Sequence, residues 1–208
     1  MSGIFLSIDG IDGCGKSTQM ELLQTWLEDS GHEVIRVREP GGTKLGETLR
    51  DILLHREEIP LVPTSEMLMY MASRAQLVEQ VIRPALAAGR TVLSDRFLLA
   101  NVVYQGYGGG LAPEAIWQVG EVATGGLGPD YTFILDIEAV VAAERLGGER
   151  DRLESRGLDY MSRVREGYLA EAPKFGDQLT QIDATASIES IHDIIRETVA
   201  ELIASREK

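Results

Sequence analysis

The 208-residue chain has few of the residues that disulfide-bonded and metal-binding proteins need. It contains one cysteine, Cys14, which cannot form a disulfide within the chain. Its three histidines, His32, His55 and His192, are scattered and do not have the spacing of metal ligands. The sequence therefore excludes a disulfide scaffold and indicates no structural metal.

The chain also lacks an excess of positive charge and any long hydrophobic run. Its formal net charge of -13 argues against binding a polyanion such as DNA, because phosphate neutralisation requires clustered Lys and Arg. No apolar run reaches the roughly 20 residues of a membrane span, and residues 1–3 carry no basic segment. We expect one soluble, cytoplasmic domain over residues 1–208 that binds neither nucleic acid nor membrane.

Short apolar runs alternate with longer amphipathic stretches along the chain, as they do in βαβ units. This alternation predicts an α/β fold with a central parallel sheet of five strands flanked by helices. The predicted strands cover residues 4–8, 33–38, 91–94, 131–135 and 178–182. The predicted helices cover 17–27, 44–54, 65–88 with a bend near Pro84, a segment from 113, 138–146, a segment from about 158, and 187–204. Residues 106–110 are predicted to form a glycine-rich loop.

Polar residues close or follow four of the predicted strands. They are Asp9, Arg38, Asp95 and Asp183. In open α/β sheets, ligands bind beyond the carboxyl ends of the strands. Strands commonly end in polar residues, so each position alone is weak evidence, but their shared placement predicts a site at this edge of the sheet.

The strongest motif is a phosphate-binding loop, or P-loop, between a predicted strand and a predicted helix. Its glycines turn backbone N–H groups toward the phosphates, while the helix N-terminus and Lys16 add positive charge. Ser17 supplies a hydroxyl for Mg²⁺, and Cys14 is interpreted as a small residue without a catalytic role. The predicted ATP-binding residues of this segment are Gly10, Ile11, Asp12, Gly13, Cys14, Gly15, Lys16, Ser17 and Thr18.

A P-loop alone does not separate kinases from GTPases or motor ATPases. Guanine-specific switches read their base with an Asn-Lys-x-Asp loop, whereas the single asparagine here, Asn101, is followed by Val102. Motor ATPases usually carry large additional domains. A short chain with an arginine-rich segment therefore favours a small-molecule kinase.

Five further motifs follow the P-loop in order. They are Arg38-Glu39-Pro40-Gly41-Gly42-Thr43, Asp95-Arg96-Phe97, Tyr104-Gln105-Gly106, Asp151-Arg152-Leu153-Glu154 and Ile182-Asp183-Ala184-Thr185. Together they resemble the bacterial thymidylate kinases from the first strand to the last helix. The resemblance implies a three-layer P-loop nucleoside monophosphate kinase domain with a lid at about 143–156. It also implies a homodimer that phosphorylates dTMP to dTDP with ATP and Mg²⁺, in dTTP biosynthesis.

The resemblance assigns the acceptor phosphate to two arginines. Arg38 and Arg96 are similar to the family's gripping pair, a role that suits the planar guanidinium fork, and Asp95 would orient them. Asp12 resembles the acid that lies near the dTMP 3′-hydroxyl or Mg²⁺-bound water. As alternatives, Arg38 is a surface residue that caps a turn, and Asp95 with Arg96 is an ion pair. Phe97 stands where the family usually has Tyr or His, so any hydroxyl or imidazole role is absent.

Further residues resemble the family's base and sugar pocket. Tyr70 occupies the position of the aromatic residue that stacks on thymine, and Arg74, on the same helix face, that of the arginine at the polar edge of the base. Asn101 would pair with the pyrimidine edge. Tyr104 would fill the space of a ribose 2′-hydroxyl, and Gln105 would either complete that wall or stabilise its loop.

The arginine-rich segment at 143–156 resembles a phosphate lid, although such a run is otherwise a solvated charged face. Some relatives carry a basic residue in the P-loop, but here that position is Gly13. The lid is therefore expected to supply charge to the transferred phosphoryl group, beside Lys16 and Mg²⁺. The candidates, in order, are Arg152, Arg145 and Arg150. A last loop, formed by Asp183, Ala184 and Thr185, resembles the one that borders the ATP adenine.

Two other functions remain open at this stage. A nucleoside or small-metabolite kinase of the same fold would not need the phosphate clamp of Arg38 and Arg96. A nucleotide-dependent regulatory protein, derived from an enzyme that lost activity, would not need an intact Lys16, Ser17 and Arg96. The presence of these residues favours the monophosphate kinase.

Overall fold

The structure is a computed structural model that describes residues 3–146, 152 and 156–206. Five parallel strands form one sheet in the order β2-β3-β1-β4-β5, which confirms the predicted fold class. The strands are β1 (Phe5–Asp9), β2 (Val34–Arg38), β3 (Thr91–Asp95), β4 (Tyr131–Asp136) and β5 (Leu179–Asp183). Each lies within one or two residues of its predicted position.

The helices cover both faces of this sheet. They are α1 (Lys16–Asp29), α2 (Lys44–His55), α3 (Pro63–Leu77), α4 (Arg83–Ala87), α5 (Leu98–Asn101), α6 (Pro113–Thr124), α7 (Ala139–Arg145), α8 (Leu158–Glu171) and α9 (Ile188–Arg206). Among the described residues, no helix combines the length and apolarity required to cross a membrane.

The side chains of β1 alternate between two apolar cores. Leu6 and Ile8 belong to one buried cluster and Phe5 to another, because successive strand residues point to opposite faces of the sheet. All five residues of β1 are buried, as expected for the central strand of a sheet covered on both sides. The result is the predicted three-layer arrangement of helices, sheet and helices.

The strand register brings the predicted polar residues to one edge of the sheet. Asp95 at the end of β3 lies beside Ile8 of β1 and Arg38 of β2. Asp136 at the end of β4 lies beside Asp183 of β5. The P-loop follows β1 directly, so it opens at the same edge and between these polar ends.

The predicted glycine loop at 106–110 is wrong in part, because most of it is helical. A π-helix, Val102–Gly108, continues directly from α5. A Cβ at Gly108 would lie 2.7 Å from the ring of Tyr160, so this glycine permits close packing against α8. Glycine here serves a helix contact, a need that local sequence does not distinguish from a turn.

The predicted long helix at 65–88 is observed as three consecutive helical segments. α3 and α4 are joined by a π-helix, Val78–Ile82. Pro84 is the second residue of α4 and cannot donate a backbone hydrogen bond, so regular α-helical bonding is interrupted in the preceding turn. The irregularity therefore lies close to the predicted bend.

Candidate active site

The P-loop links β1 to α1 and surrounds a buried lysine. Lys16 is 6% exposed, and its Nζ donates hydrogen bonds of 3.0 Å to the carbonyl oxygens of Gly10 and Ile11. Gly15 precedes α1 in a left-handed conformation, and no side chain caps the helix. The first N–H groups of α1 therefore have no side-chain acceptor, which is the arrangement that binds phosphate.

A cavity of about 640 Å³ lies against the P-loop. It is lined by Lys16, Ser17 and Thr18 and by aliphatic residues that include Ile188 and Ile191. Basic and hydroxyl groups combined with aliphatic groups suit a nucleotide, which carries both phosphates and a base.

The loop after β5 forms part of the wall of this cavity. Ala184 lines the cavity, and its carbonyl oxygen accepts a 3.0 Å hydrogen bond from Nη1 of Arg145. Asp183 accepts hydrogen bonds from the Thr185 hydroxyl and backbone N–H, which lower the pKa of Asp183. Asp183 and Thr185 thus stabilise the loop, while Ala184 faces the cavity.

Gly13 leaves no room for a side chain in the P-loop. Its φ of +86° disfavours other residues, and a Cβ built there would overlap the carbonyl oxygen of Ala142 on α7. The close contact between the P-loop and α7 explains why this position carries no basic group.

A second cavity of about 260 Å³ adjoins the first. Both cavities are lined by Asp12, Asp95 and Arg96, so these three residues lie at their junction. The second cavity combines cationic and aromatic groups, as a binding site for an anionic, ring-containing ligand requires. Its arginines are Arg50, Arg74 and Arg96, and its aromatic residues are Tyr70, Phe97 and Tyr104.

Arg96 is held in a strained and highly polar position at the junction. It is the one non-glycine residue with positive φ (68°) in the described part of the chain, and it forms an ion pair with Asp12. Its Nη2 also donates to the Tyr104 hydroxyl at 3.1 Å. Its Nε is buried without an acceptor among the described residues. A strained arginine with an unused buried donor is suited to an anionic ligand.

The charges at the junction stabilise one another. Burial raises the pKa of Asp12, but Arg96 and Lys16 outweigh that effect and hold it well below its ordinary range. Burial lowers the pKa of Arg96, whereas Asp12 and the neighbouring Tyr104 and Asp95 raise it above its ordinary value. Asp12 is therefore a carboxylate and Arg96 a cation at neutral pH.

Arg74 occupies the floor of the second cavity and is 2% exposed. Its Nε donates to Glu39 at 2.7 Å and its Nη1 to the Asn101 side-chain oxygen at 2.6 Å. Its guanidinium lies 5.3 Å from the centre of the Phe97 ring. Phe97 in turn packs edge-on against Phe5, with the ring centres 4.9 Å apart. The residue after Asp95-Arg96 thus has an apolar packing role.

Comparison with known proteins agrees with this geometry. Residues 8–195 match the sequence profile of the thymidylate kinases. The chain belongs to the thymidylate kinase family. Nucleoside monophosphate kinases of this kind bind two nucleotides, and two adjoining cavities provide the room for them.

Individual relatives cover most of the chain. It is 47% identical over 193 residues to a thymidylate kinase from Rhodopirellula baltica, covering 93% of this chain and 78% of that protein. It is 44% identical over 204 residues to one from Caldanaerobacter subterraneus, covering 98% of each. The crystal structure of thymidylate kinase from Ehrlichia chaffeensis matches with a TM-score of 0.78 and 28% identity, covering 96% of this chain and 100% of that one.

Most of the predicted acceptor residues surround the second cavity. The structure brings together Asp12, Tyr70, Arg74, Asp95, Arg96, Asn101, Tyr104 and Gln105. Arg38 is the exception, because its side chain is 58% exposed and its Nη2 lies 3.2 Å from Glu47. Arg38 does not line the cavity among the residues described.

Arg50 was missed by the sequence analysis and lines the cavity in place of Arg38. Its Nη1 donates to the Pro40 carbonyl oxygen at 2.9 Å. Burial and the charges of Arg38 and Arg96 lower the pKa of Arg50. Arg50 and Leu54 both line the cavity and are four residues apart in α2, so they lie on one face of the helix. This helical spacing is the sequence feature that could have identified Arg50.

The predicted lid residues occupy different places. Arg145 lines the P-loop cavity. Arg152 donates to the carbonyl oxygens of Arg56 and Ile59, beside the end of α2, and lines neither cavity in the described part. Arg150 and most of the segment at 147–155 lie outside the described residues.

Proposed function

We propose that the protein transfers the γ-phosphoryl group of ATP to dTMP, forming dTDP for dTTP biosynthesis. The observation that carries this proposal is the junction of the two cavities at Asp12, Asp95 and Arg96. A donor bound to the P-loop and an acceptor bound to the arginines would meet there. Holding two reactants in line is the main contribution that a protein makes to phosphoryl transfer.

The acceptor phosphate is proposed to bind Arg96 and Arg50, with Arg38 near the entrance. Support comes from the unused Nε of Arg96 and from the position of Arg50 and Arg96 in the lining of one cavity. Guanidinium groups bind phosphate oxygens through paired, charge-assisted hydrogen bonds. Such a cluster has no use in a kinase whose acceptor is an uncharged nucleoside, which argues for a monophosphate.

The base and sugar are proposed to occupy the rest of the second cavity. Tyr70 would stack on the thymine ring, and Arg74 and Asn101 would face its polar edge. Tyr104 is fixed by Arg96 and Asp12, so its ring would exclude a ribose 2′-hydroxyl. Gln105 supports Asn101 through a 2.7 Å hydrogen bond.

Magnesium is proposed to bind at the junction with the ATP phosphates. Ser17 offers a hydroxyl, and Oδ1 of Asp95 is buried without a donor among the described residues, so it can accept from metal-bound water. No group of three His, Cys, Asp or Glu side chains in the described ranges could hold a metal ion, which fits an ion held largely by phosphates and water. When bound, it neutralises charge on the phosphates.

Lys16 and the lid arginines are proposed to stabilise the transferred phosphoryl group. Arg145 already lines the P-loop cavity. Arg152 would have to leave its contacts with Arg56 and Ile59 to reach it.

The adenine would bind beside Ala184. Family membership further supports a cytoplasmic location and a homodimer; light scattering of the purified protein would test the dimer.

The proposal is tested by measuring ADP release with ATP, Mg²⁺ and a panel of acceptors. The panel contains dTMP, dUMP, UMP, CMP, AMP and thymidine. We expect dTMP to be the best substrate and thymidine to be turned over far more slowly, because the arginine cluster binds a phosphate already present. Equal turnover of thymidine and dTMP would contradict a monophosphate kinase.

A further inference from the structure

A chain of buried hydrogen bonds runs along the wall of the second cavity. Glu66 of α3 accepts a 3.0 Å hydrogen bond from Nε2 of Gln105. Oε1 of Gln105 accepts a 2.7 Å bond from Nδ2 of Asn101, whose Oδ1 accepts from Arg74. Arg74 also donates to Glu39. We call the hydrogen-bonded series Glu66, Gln105, Asn101, Arg74 and Glu39 the amide chain. All five side chains are buried, so each of these hydrogen bonds replaces bonds to water.

The two ends of the amide chain fix the sense of its two amides, meaning which side of each amide presents the oxygen and which presents the NH₂. The Glu66 carboxylate only accepts, so Gln105 must present its NH₂ to it and its oxygen to Asn101. The Arg74 guanidinium only donates, so Asn101 must present its oxygen to Arg74 and its NH₂ to Gln105. Turning over one amide would set two donors or two acceptors against each other in a buried site.

Glu66 is itself held by a cation from another part of the chain. Arg156 forms an ion pair with the second carboxylate oxygen of Glu66, whose side chain is 4% exposed. Arg156 also donates to the Tyr160 hydroxyl at 3.2 Å, and Tyr160 donates to the backbone carbonyl of Tyr104 at 2.8 Å. The same group of contacts thus supports Asn101 and the backbone of Tyr104.

We propose that Glu66, held by Arg156, is a positioning residue that fixes the Gln105 and Asn101 amides in the sense needed to bind a thymine base. This inference rests on the proposed function. Asn101 lines the cavity and keeps one N–H and one lone pair free of the amide chain. Thymine presents a carbonyl where cytosine presents an amino group, so the sense of this amide affects which pyrimidine fits.

The experiment moves the carboxylate of the amide chain from position 66 to position 105. It compares four proteins, which are wild type, Gln105→Glu, Glu66→Gln and the double variant. Gln105→Glu sets two carboxylates against each other. We expect it to raise the KM for dTMP roughly tenfold or more, with a smaller change in kcat, and to lower the preference for dTMP over dCMP. In the double variant the new amide donates to the new carboxylate, which still accepts from Asn101. The KM and the preference should return to within about threefold of Glu66→Gln, as a restored hydrogen bond requires.

Glu79→Gln is the matched control, because Glu79 is exposed and lies far from the amide chain in an ion pair with Arg83. It should behave as wild type. Arg156→Lys should keep the preference for dTMP and Arg156→Met should lower it, since only the former retains a cation for Glu66. If Glu66 had only a structural role, the variants would lose thermal stability, and the double variant would not recover the KM or the preference for dTMP.

The proposal is overturned if Gln105→Glu leaves the KM and the preference unchanged, or if the double variant is no better than Gln105→Glu. If Gln105→Glu does not fold, a double variant that folds and lies within about threefold of Glu66→Gln supports the proposal, and a double variant outside that range or also unfolded overturns it. If the wild type does not phosphorylate dTMP, the proposed function fails. Calorimetric binding of dTMP and dCMP to the same proteins then decides the inference separately.

Discussion

Replacing Arg96 by Ala tests the proposed phosphate clamp most directly. Arg96 uses Nη2 on Asp12 and Tyr104, which leaves its buried Nε and its Nη1, 4.0 Å from Asp95, for the acceptor phosphate. Two charge-assisted hydrogen bonds at about 1.5 kcal/mol each amount to about 3 kcal/mol of transition-state stabilisation. We therefore expect kcat/KM for dTMP to fall on the order of a hundredfold, since each ~1.4 kcal/mol is tenfold.

The assay is steady-state ADP release over a range of dTMP concentrations, with thermal unfolding measured in parallel. Arg90→Ala is the matched control, because Arg90 is half-exposed and pairs with the exposed Glu33 at 2.8 Å. It should leave kcat/KM unchanged. Arg96→Lys keeps the charge but loses the planar fork, so it should recover only part of the activity.

Loss of Arg96 also leaves Asp12 without its main partner. The pKa of Asp12 should then rise, because only Lys16 remains to offset the effect of burial. An Asp12→Asn change on the Arg96→Ala background separates repulsion by this carboxylate from the loss of the clamp. A loss smaller than about fivefold in Arg96→Ala, with an unchanged melting temperature, would refute the reasoning, since it is under 1 kcal/mol.

Three further predictions concern selectivity and charge supply. Tyr104→Ala should bring the kcat/KM values for deoxy- and ribonucleoside monophosphates closer together, because the smaller side chain admits the larger sugar. An unchanged ratio of kcat/KM for dUMP and UMP would assign Tyr104 to packing alone. Arg152→Ala should lower kcat by about a hundredfold or more with little change in nucleotide binding. Near-normal kcat in the Arg145, Arg150 and Arg152 single variants and their triple Ala variant would leave the charge to Lys16 and Mg²⁺. Gly13→Arg should lower thermal stability and ATP affinity, because a side chain there overlaps Ala142. The new arginine should therefore not replace a lid arginine. A gain in kcat, measured together with the melting temperature, would contradict this.

The sequence predicted the parts of the site that depend on local pattern. The five strands follow from short apolar runs, and the P-loop follows from glycines, Lys16 and Ser17 at fixed spacing between a strand and a helix. The order of polar residues at strand ends predicted one site edge, because parallel strands share the direction of their carboxyl ends. The strands and the P-loop depend on residues close together in the sequence, and the shared edge follows from the parallel direction of the strands.

Tertiary structure decided which side chains reach the cavity. The sequence analysis chose Arg38 as a phosphate ligand and did not consider Arg50, yet Arg38 turns outward to Glu47 while Arg50 lines the cavity. Likewise, Gly108 of the π-helix at 102–108 packs closely against Tyr160 of α8, a contact between residues distant in the sequence.

The amide chain shows the same division between local and long-range information. The sequence marked Arg74, Asn101 and Gln105, but it gave no role to Glu39 or Glu66. Glu39 lies 35 residues before Arg74, and Glu66 lies 39 residues before Gln105. A buried charge requires a partner wherever the fold brings one, and periodicity carries no record of contacts over such separations.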